Sequence, residues 1–259
     1  MRRIPPQMVR PTIAKHMLAD GFELVLDLRK SHGSWVHDSQ SNRDFLDLFS
    51  FFGSLPLGMN HPRLMEPEFM KFLAEVAVNK PSNSDFYTEE MAVFVDTFAE
   101  TVIPRSHPYL FFVDGGALGV ENALKAAFDW KVRKNLAAGR GEIGSRVIHF
   151  KHAFHGRTGY TLSLTNTADP RKYMYFPRFD WPRIESPAVT FPLEKHLEQT
   201  VASEKAALAQ IDAAISSYGH DIACLLVEPI QAEGGDRHFR PEFLAELRKR
   251  ANEHEFMLI

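Results

Sequence analysis

The 259-residue sequence is poor in cysteine, and this limits the metal sites and cross-links it can form. Cys224 is the only cysteine, which excludes an internal disulfide and a multi-cysteine zinc site. Its neighbours are apolar, so we expect a buried thiol and a reducing compartment, the cytoplasm. His149, His152 and His155 recur at three-residue spacing, but no acidic or cysteine partner lies nearby in the sequence. We therefore predict no metal site.

Long apolar runs and a strong excess of charge are also missing. The formal net charge is -3, which gives no long-range attraction to nucleic acid or to an anionic membrane. No segment approaches the roughly 18 uninterrupted apolar residues of a membrane span, and the N-terminus has no apolar signal core. With 44% hydrophobic and 24% charged residues, the chain has the composition of a globular protein with a sizeable core.

The first hundred residues mix helices with a small antiparallel unit. The pattern predicts a helix over residues 12–20, followed by two strands around a polar turn at residues 38–42. A further helix is predicted to begin near Pro62 or Pro67, and another has Thr88 as its N-cap.

From about residue 109 the pattern changes to strands that alternate with helices. Strands are predicted over residues 109–113, 146–150, 222–229 and 256–259, and helices over 117–135, 193–217 and 241–254. This alternation is typical of a parallel sheet with helices on both faces. Because the chain stops inside an apolar strand, we expect it to be the N-terminal portion of a longer protein.

The corner Val-Asp-Gly-Gly-Ala-Leu-Gly at residues 113–119 is the first candidate binding segment. Gly115 and Gly116 separate a predicted strand from a predicted helix, and the free N–H groups at a helix N-terminus bind phosphate. Glycine lets the backbone approach a ligand closely. A plain tight turn explains the same pair, however, and the corner matches neither the dinucleotide fingerprint nor a Walker loop.

Two later strand ends carry further polar signals. Phe154 and His155 offer flat faces to a heteroaromatic ring, and the Arg157 guanidinium suits a carboxylate. Core packing for Phe154 and a solvated surface position for Arg157 are the alternatives. Glu228 and Glu233 follow the next strand. Because three successive strand ends carry unusual polar or glycine residues, one shared site is favoured over three unrelated loops.

Three segments in this order resemble the class III aminotransferases: residues 111–127, 154–165 and 227–235. The resemblance implies pyridoxal 5'-phosphate as cofactor and an α/β type I fold, a mostly parallel sheet sandwiched by helices and incomplete at the C-terminus. It also implies an N-terminal segment over residues 1–50 and part of the large cofactor-binding domain over residues 51–259. Three further segments, 79–87, 176–184 and 234–243, are similar to the lysine ε-aminotransferase branch of this family. The phosphate motif points to the same branch, since Gly-Gly-Ala-Leu stands here in place of the usual Ser-Gly-Ser/Thr-Glu.

The resemblance assigns cofactor roles to four residues. It implies that the backbone N–H groups of Gly116 and Ala117 bind the phosphate. It places the Phe154 ring on the pyridine ring, with His155 adjacent.

The resemblance also assigns three residues to the substrates. Arg157 would bind the α-carboxylate of L-lysine or of 2-oxoglutarate, and Glu233 matches a glutamate that shields a second arginine while lysine binds. Phe52, with Phe51, would line the substrate entrance, although core packing explains both phenylalanines equally well.

The implied reaction moves the ε-amino group of L-lysine to 2-oxoglutarate, giving glutamate and 2-aminoadipate semialdehyde, in a homodimer. The Schiff-base lysine and the aspartate that contacts the pyridine nitrogen are expected beyond Ile259, so no catalytic residue is predicted within the chain and we expect it to be inactive alone. Lys80, Lys125 and Lys151 are poor substitutes for that lysine. An ornithine or 4-aminobutyrate donor is one alternative, and a non-catalytic phosphate-binding or interaction module is another.

Overall fold

The computed structural model describes residues 3–79 and 86–259. They pack as two compact units, Met1–Ile103 and Pro104–Ile259. This division by packing does not test the domain boundary at residue 50, which stays a prediction. Within the similar segment 79–87, residues 80–85 lie outside the described residues, and so does Lys80.

The first unit begins with helix α1, Pro6–Ile13. Proline suits the first turn, where its missing N–H is not needed. The helix predicted over residues 12–20 is wrong, because α1 ends at Ile13. Met17 and Leu18 are 69% and 83% exposed, so no packing stabilises a helix there.

The antiparallel unit is confirmed. Strands β1, Trp35–Asp38, and β2, Arg43–Leu46, pair from Trp35 opposite Leu46 to Asp38 opposite Arg43. The turn between them is fixed by Asp38, whose Oδ2 accepts the Ser41 N–H at 2.9 Å.

Two helices complete the first unit, α2 at Pro67–Val78 and α3 at Glu89–Thr101. A short 3-10 turn, Pro62–Met65, precedes α2. The predicted N-cap is confirmed, since Thr88 Oγ1 accepts the Met91 N–H at 3.1 Å.

The second unit contains a four-stranded parallel sheet, in the order β4 (Arg183–Ile184), β3 (Arg146–Phe150), β5 (Ile222–Leu225) and β8 (Met257–Leu258). A two-stranded antiparallel ribbon, β6 (Ile230–Gln231) with β7 (Arg237–His238), follows β5. In chain order the elements are α4 Gly116–Ala137, β3 Arg146–Phe150, α5 Gly159–Leu164, β4 Arg183–Ile184, α6 Leu193–Tyr218, β5 Ile222–Leu225, β6 Ile230–Gln231, β7 Arg237–His238, α7 Pro241–Glu253 and β8 Met257–Leu258.

Helices cover both faces of this sheet, as predicted. Because side chains alternate along a strand, Ile148 and Phe150 of β3 join the core that α6 and α7 form on one face. Val147 joins the core on the other face, which includes Leu124 of α4 and Leu164 of α5. Cys224 is buried there, and burial raises the pKa of its thiol to about 12.

The strand predicted over residues 109–113 is wrong for this structure. The segment lies outside every described sheet, and Tyr109 and Phe111 are 93% and 74% exposed. The edges of the parallel sheet are β4 and β8, and neither pairs with this segment. An apolar sequence becomes a strand only where a neighbouring backbone accepts its hydrogen bonds.

Candidate active site

The site is built around the N-terminus of α4. Gly115 is the N-cap residue, with φ of 92°, and within the part of the chain that the structure describes no side chain caps the helix. A Cβ added at Gly115 or Gly116 would meet no heavy atom within 4 Å, so the space beside this turn is open. The uncapped N–H groups of the first turn therefore face a position where an anion can bind.

The loop after β3 carries Phe154, His155 and Arg157, and polar side chains fix its backbone. The Phe154 N–H donates to Glu228 Oε1 at 2.8 Å. The His155 N–H donates to Thr165 Oγ1 at 3.0 Å, and the same hydroxyl donates to the Gly156 carbonyl at 2.7 Å.

This loop contacts the first turn of α4 directly. A Cβ built on Gly156 would lie 2.5 Å from the Ala117 Cβ, so only glycine allows this approach. Glu121 of α4 reinforces the contact, since its Oε1 accepts from Thr158 Oγ1 at 2.7 Å and from the Thr161 N–H at 3.2 Å. The predicted phosphate-binding turn and the predicted ring-stacking loop are therefore neighbours.

The third predicted segment follows β5 and contacts the loop after β3. Glu228 holds Phe154, as described above, and the Gln231 side chain donates to the Lys151 carbonyl at 2.9 Å. A Cβ on Gly234 would lie 2.1 Å from the carbonyl oxygen of His152. Six of the seven predicted site residues, all except Phe52, thus lie on three segments, of which the loop after β3 contacts both of the others.

Burial controls the protonation of two groups in the site. It lowers the pKa of His155 to about 4, so this imidazole is neutral at neutral pH. Burial also raises the pKa of Glu228, and the nearby Glu233 carboxylate adds to this effect, although the Phe154 N–H opposes it. Arg157 is exposed and makes no ion pair with a described residue, so its guanidinium is available to a ligand.

Lys172 contacts two of the predicted site residues, and the sequence patterns did not predict it. It ends a short 3-10 turn, Pro170–Lys172, and its ammonium group forms an ion pair with Glu233. Its Nζ lies 5.7 Å from the centroid of the Phe154 ring. The signal in the sequence is weak, because the Asp-Pro-Arg-Lys turn belongs to a proline-rich stretch without periodicity.

Phe52 lies in the first unit, and its proposed role in the substrate entrance stays a prediction. Its backbone is left-handed, with φ of 57°, and its side chain is 86% exposed. The ring meets that of Phe49 edge-on at a centroid distance of 4.6 Å. The Phe52 side chain is therefore not packed in the core of this structure.

The chain belongs to the class III aminotransferases, whose family pattern matches residues 18–259. It is 50% identical over 260 residues to the L-lysine-epsilon aminotransferase of Mycobacterium tuberculosis, and the match covers all of this chain and 57% of that protein. It is 49% identical over 252 residues to the corresponding enzyme of Amycolatopsis lactamdurans, covering 97% of this chain and 56% of that protein.

A solved structure of the lysine aminotransferase of M. tuberculosis in the internal aldimine form superposes with a TM-score of 0.94. That match has 50% sequence identity and covers 98% of this chain and 58% of the other. The type I fold with its parallel sheet is thereby confirmed. The chain spans just over half the length of these relatives.

The cofactor of this family is pyridoxal phosphate, and the residues present fit it. The open, uncapped turn at Gly115 and Gly116 suits a phosphate group. The Phe154 ring, held through its backbone by Glu228, offers a flat face nearby. No helix in the described ranges is both long and apolar enough to cross a membrane.

Proposed function

We propose that this protein transfers the ε-amino group of L-lysine to 2-oxoglutarate with pyridoxal phosphate as cofactor. One observation supports the proposal: Gly156 packs on Ala117 while Glu228 accepts the Phe154 N–H, so the uncapped turn at Gly115 and Gly116, the Phe154 ring and the loop that carries Arg157 lie together. Relatives that are 49% and 50% identical to the chain are named L-lysine-epsilon aminotransferases, which supports lysine as the amino donor.

Each residue has a distinct task in this proposal. The N–H groups of Gly116 and Ala117 bind the cofactor phosphate, and the Phe154 ring packs on its pyridine ring. When bound, the cofactor supplies the electron sink that amino-group transfer needs. Neutral His155 packs beside the ring without adding charge. Arg157 binds the α-carboxylate of either substrate, and Glu233 leaves the site to admit the dicarboxylate.

The reaction also needs a lysine that bonds to the cofactor and an aspartate at the pyridine nitrogen. Both stay predictions for positions beyond Ile259. We further propose a homodimer in the cytoplasm; the dimer rests on family resemblance, and the compartment is supported by the single, buried Cys224.

The test is to express the complete reading frame that encodes this chain and to assay it with 2-oxoglutarate as acceptor. We expect L-lysine to be a better donor than L-ornithine or 4-aminobutyrate. Substituting Arg157→Gln removes a charge-assisted contact to carboxylate, so the KM values for L-lysine and 2-oxoglutarate should rise by about tenfold or more. Cofactor absorbance should not change.

Arg133→Gln is the matched control, because that arginine is exposed and, among the described residues, pairs only with Asp129 on its own helix. It should leave both KM values unchanged. A preference for ornithine or 4-aminobutyrate as amino donor would show that the protein is a different ω-aminotransferase. A reading frame that stops after codon 259, with no transfer activity, would favour the non-catalytic module.

A further inference from the structure

The hydroxyl of Thr165 binds two peptide groups of the loop after β3. Its Oγ1 accepts the His155 N–H at 3.0 Å and donates to the Gly156 carbonyl at 2.7 Å. The first group belongs to the peptide bond that follows Phe154, and the second belongs to the peptide bond that precedes Arg157. One side chain thus fixes the backbone between the predicted ring-stacking residue and the predicted carboxylate-binding residue.

Both hydrogen bonds are buried, and within the described ranges neither peptide group has another partner. Thr165 is fully buried and His155 is 8% exposed. A hydroxyl has one proton and two lone pairs, so Thr165 can donate to the Gly156 carbonyl and accept the His155 N–H at the same time. Without the hydroxyl, a buried N–H and a buried carbonyl would lose their partner, which costs more than the loss of an exposed hydrogen bond.

Gly156 is the residue in this loop that most needs such a restraint. Only glycine allows its close approach to Ala117, and its φ is +123°. The missing Cβ that permits this conformation also gives glycine the widest choice of others. The bond from Thr165 to the Gly156 carbonyl therefore selects the one conformation in which the loop meets α4.

Thr165 can position the loop because its own position is fixed. Its N–H donates to the Thr161 carbonyl at 3.1 Å, at the C-terminal end of α5. The preceding residue, Leu164, is fully buried in the core beneath the sheet face. The following residue, Asn166, donates its N–H to the Ala153 carbonyl at 2.9 Å.

We propose that Thr165 is a positioning residue, which fixes the orientation of Phe154 relative to Arg157 through the backbone of His155 and Gly156. The proposal rests on the proposed function, in which Phe154 packs on the cofactor ring and Arg157 binds the substrate carboxylate. Loss of the hydroxyl therefore weakens cofactor binding and carboxylate binding together.

The experiment compares Thr165→Val with Thr165→Ser in the protein from the complete reading frame. Valine has the shape of threonine without the hydroxyl, and serine keeps the hydroxyl. We expect Thr165→Val to weaken pyridoxal phosphate binding by about tenfold, as measured by titration of the cofactor absorbance, because two buried backbone groups lose their partner. Thr165→Ser should keep the cofactor affinity within about twofold.

Two further measurements separate positioning from a merely structural role. At saturating cofactor and well below the melting temperature, Thr165→Val should change the visible circular dichroism of the bound cofactor, because Phe154 is no longer held in one orientation. KM for L-lysine and KM for 2-oxoglutarate should both rise by about threefold or more, since Arg157 follows the released Gly156 carbonyl. A lower melting temperature with unchanged circular dichroism and KM values would overturn the proposal.

Thr167→Val is the matched control. Thr167 is 4% exposed and lies two residues further along, but its hydroxyl has no hydrogen-bond partner among the described residues. The substitution should leave cofactor affinity and both KM values unchanged. If the melting temperature shows that Thr165→Val has lost its fold, Thr165→Cys replaces it, because a thiol is a weaker donor and acceptor than a hydroxyl. Equal cofactor affinities of Thr165→Cys and Thr165→Ser would then overturn the proposal.

The two proposals fail separately. Equal cofactor affinity in the wild type and Thr165→Val, together with transfer of the amino group of L-lysine, overturns the role of Thr165 and leaves the proposed function standing. An equal loss of affinity with Thr167→Val also overturns that role. A wild-type protein whose cofactor affinity depends on Thr165, but which does not transfer the amino group of L-lysine, overturns the proposed function alone.

Discussion

At the scale of single residues, Gly156 determines whether the loop after β3 and the predicted phosphate-binding turn can meet. Its φ is +123°, and an added Cβ would lie 2.5 Å from the Ala117 Cβ and 2.9 Å from Thr161 Oγ1. We expect Gly156→Ala to lower the free energy of unfolding by about 1–3 kcal/mol and to weaken pyridoxal phosphate binding, because the loop must move away from α4. Urea unfolding and titration of the cofactor absorbance measure the two effects.

The control for this prediction is Gly141→Ala. Gly141 also has a positive φ, +85°, but an added Cβ would meet nothing within 4 Å. It should lose stability through backbone strain alone and keep full cofactor affinity. Equal cofactor affinities in the two variants would show that the contact with Ala117 is unimportant.

The sequence predicts some of these residues better than others. Glycines at a strand-to-helix corner and an arginine after a strand have local signals, which is why Gly116 and Arg157 could be chosen in advance. Lys172 and Thr165 could not, because their importance depends on tertiary contacts with residues 61 and 10 positions away in the chain. Such contacts leave no periodicity or spacing in the sequence.

At the scale of elements, one buried ion pair joins α6 to the start of α7. Arg240 Nε and Nη2 donate to the two carboxylate oxygens of Glu204 at 2.9 and 2.7 Å, and the side chains are 15% and 7% exposed. Removing the Glu204 charge leaves Arg240 only the longer contact with the exposed Glu242 carboxylate, at 3.4 Å. We expect Glu204→Gln to lower the free energy of unfolding by about 3 kcal/mol, as measured by urea denaturation.

Asp129→Asn is the control at an exposed pair, where Arg133 lies one helical turn away. Its effect should stay within about 0.5 kcal/mol. A similar small effect of Glu204→Gln would mean that water replaces the lost contact and that α7 does not depend on it.

Helices and strands were predictable where the apolar periodicity of a segment coincides with burial of its apolar face inside the same compact unit. Strands β3 and β5 and helices α4 and α6 combine clear periodicity with buried faces, and their positions are confirmed. The helix over residues 12–20 and the strand over 109–113 failed for the same physical reason. Their apolar residues are mostly exposed in this structure, so periodicity alone did not stabilise either element.

At the scale of the whole molecule, two buried histidines link stability to pH. Burial lowers the pKa of His149 to about 3 and that of His155 to about 4, and nearby positive charge adds to the effect at His149. In the unfolded chain a histidine has a pKa of about 6.5. Between these values the unfolded state binds more protons than the folded state, so acid favours unfolding.

We therefore expect the free energy of unfolding to fall as the pH drops from about 6.5 to about 4, by about 1.4 kcal/mol per pH unit for each histidine. Glu228 opposes this trend weakly, since its raised pKa makes the folded state take up a proton. His155→Gln should remove the contribution of this residue to the slope in urea unfolding followed by circular dichroism across this range, while His149, His152 and His220, whose pKa values are also lowered, keep theirs. An unaltered slope in His155→Gln would mean that the pKa of this imidazole is close to 6.5 in the folded protein, so that the surface proposed beside the cofactor ring would become positively charged below that pH.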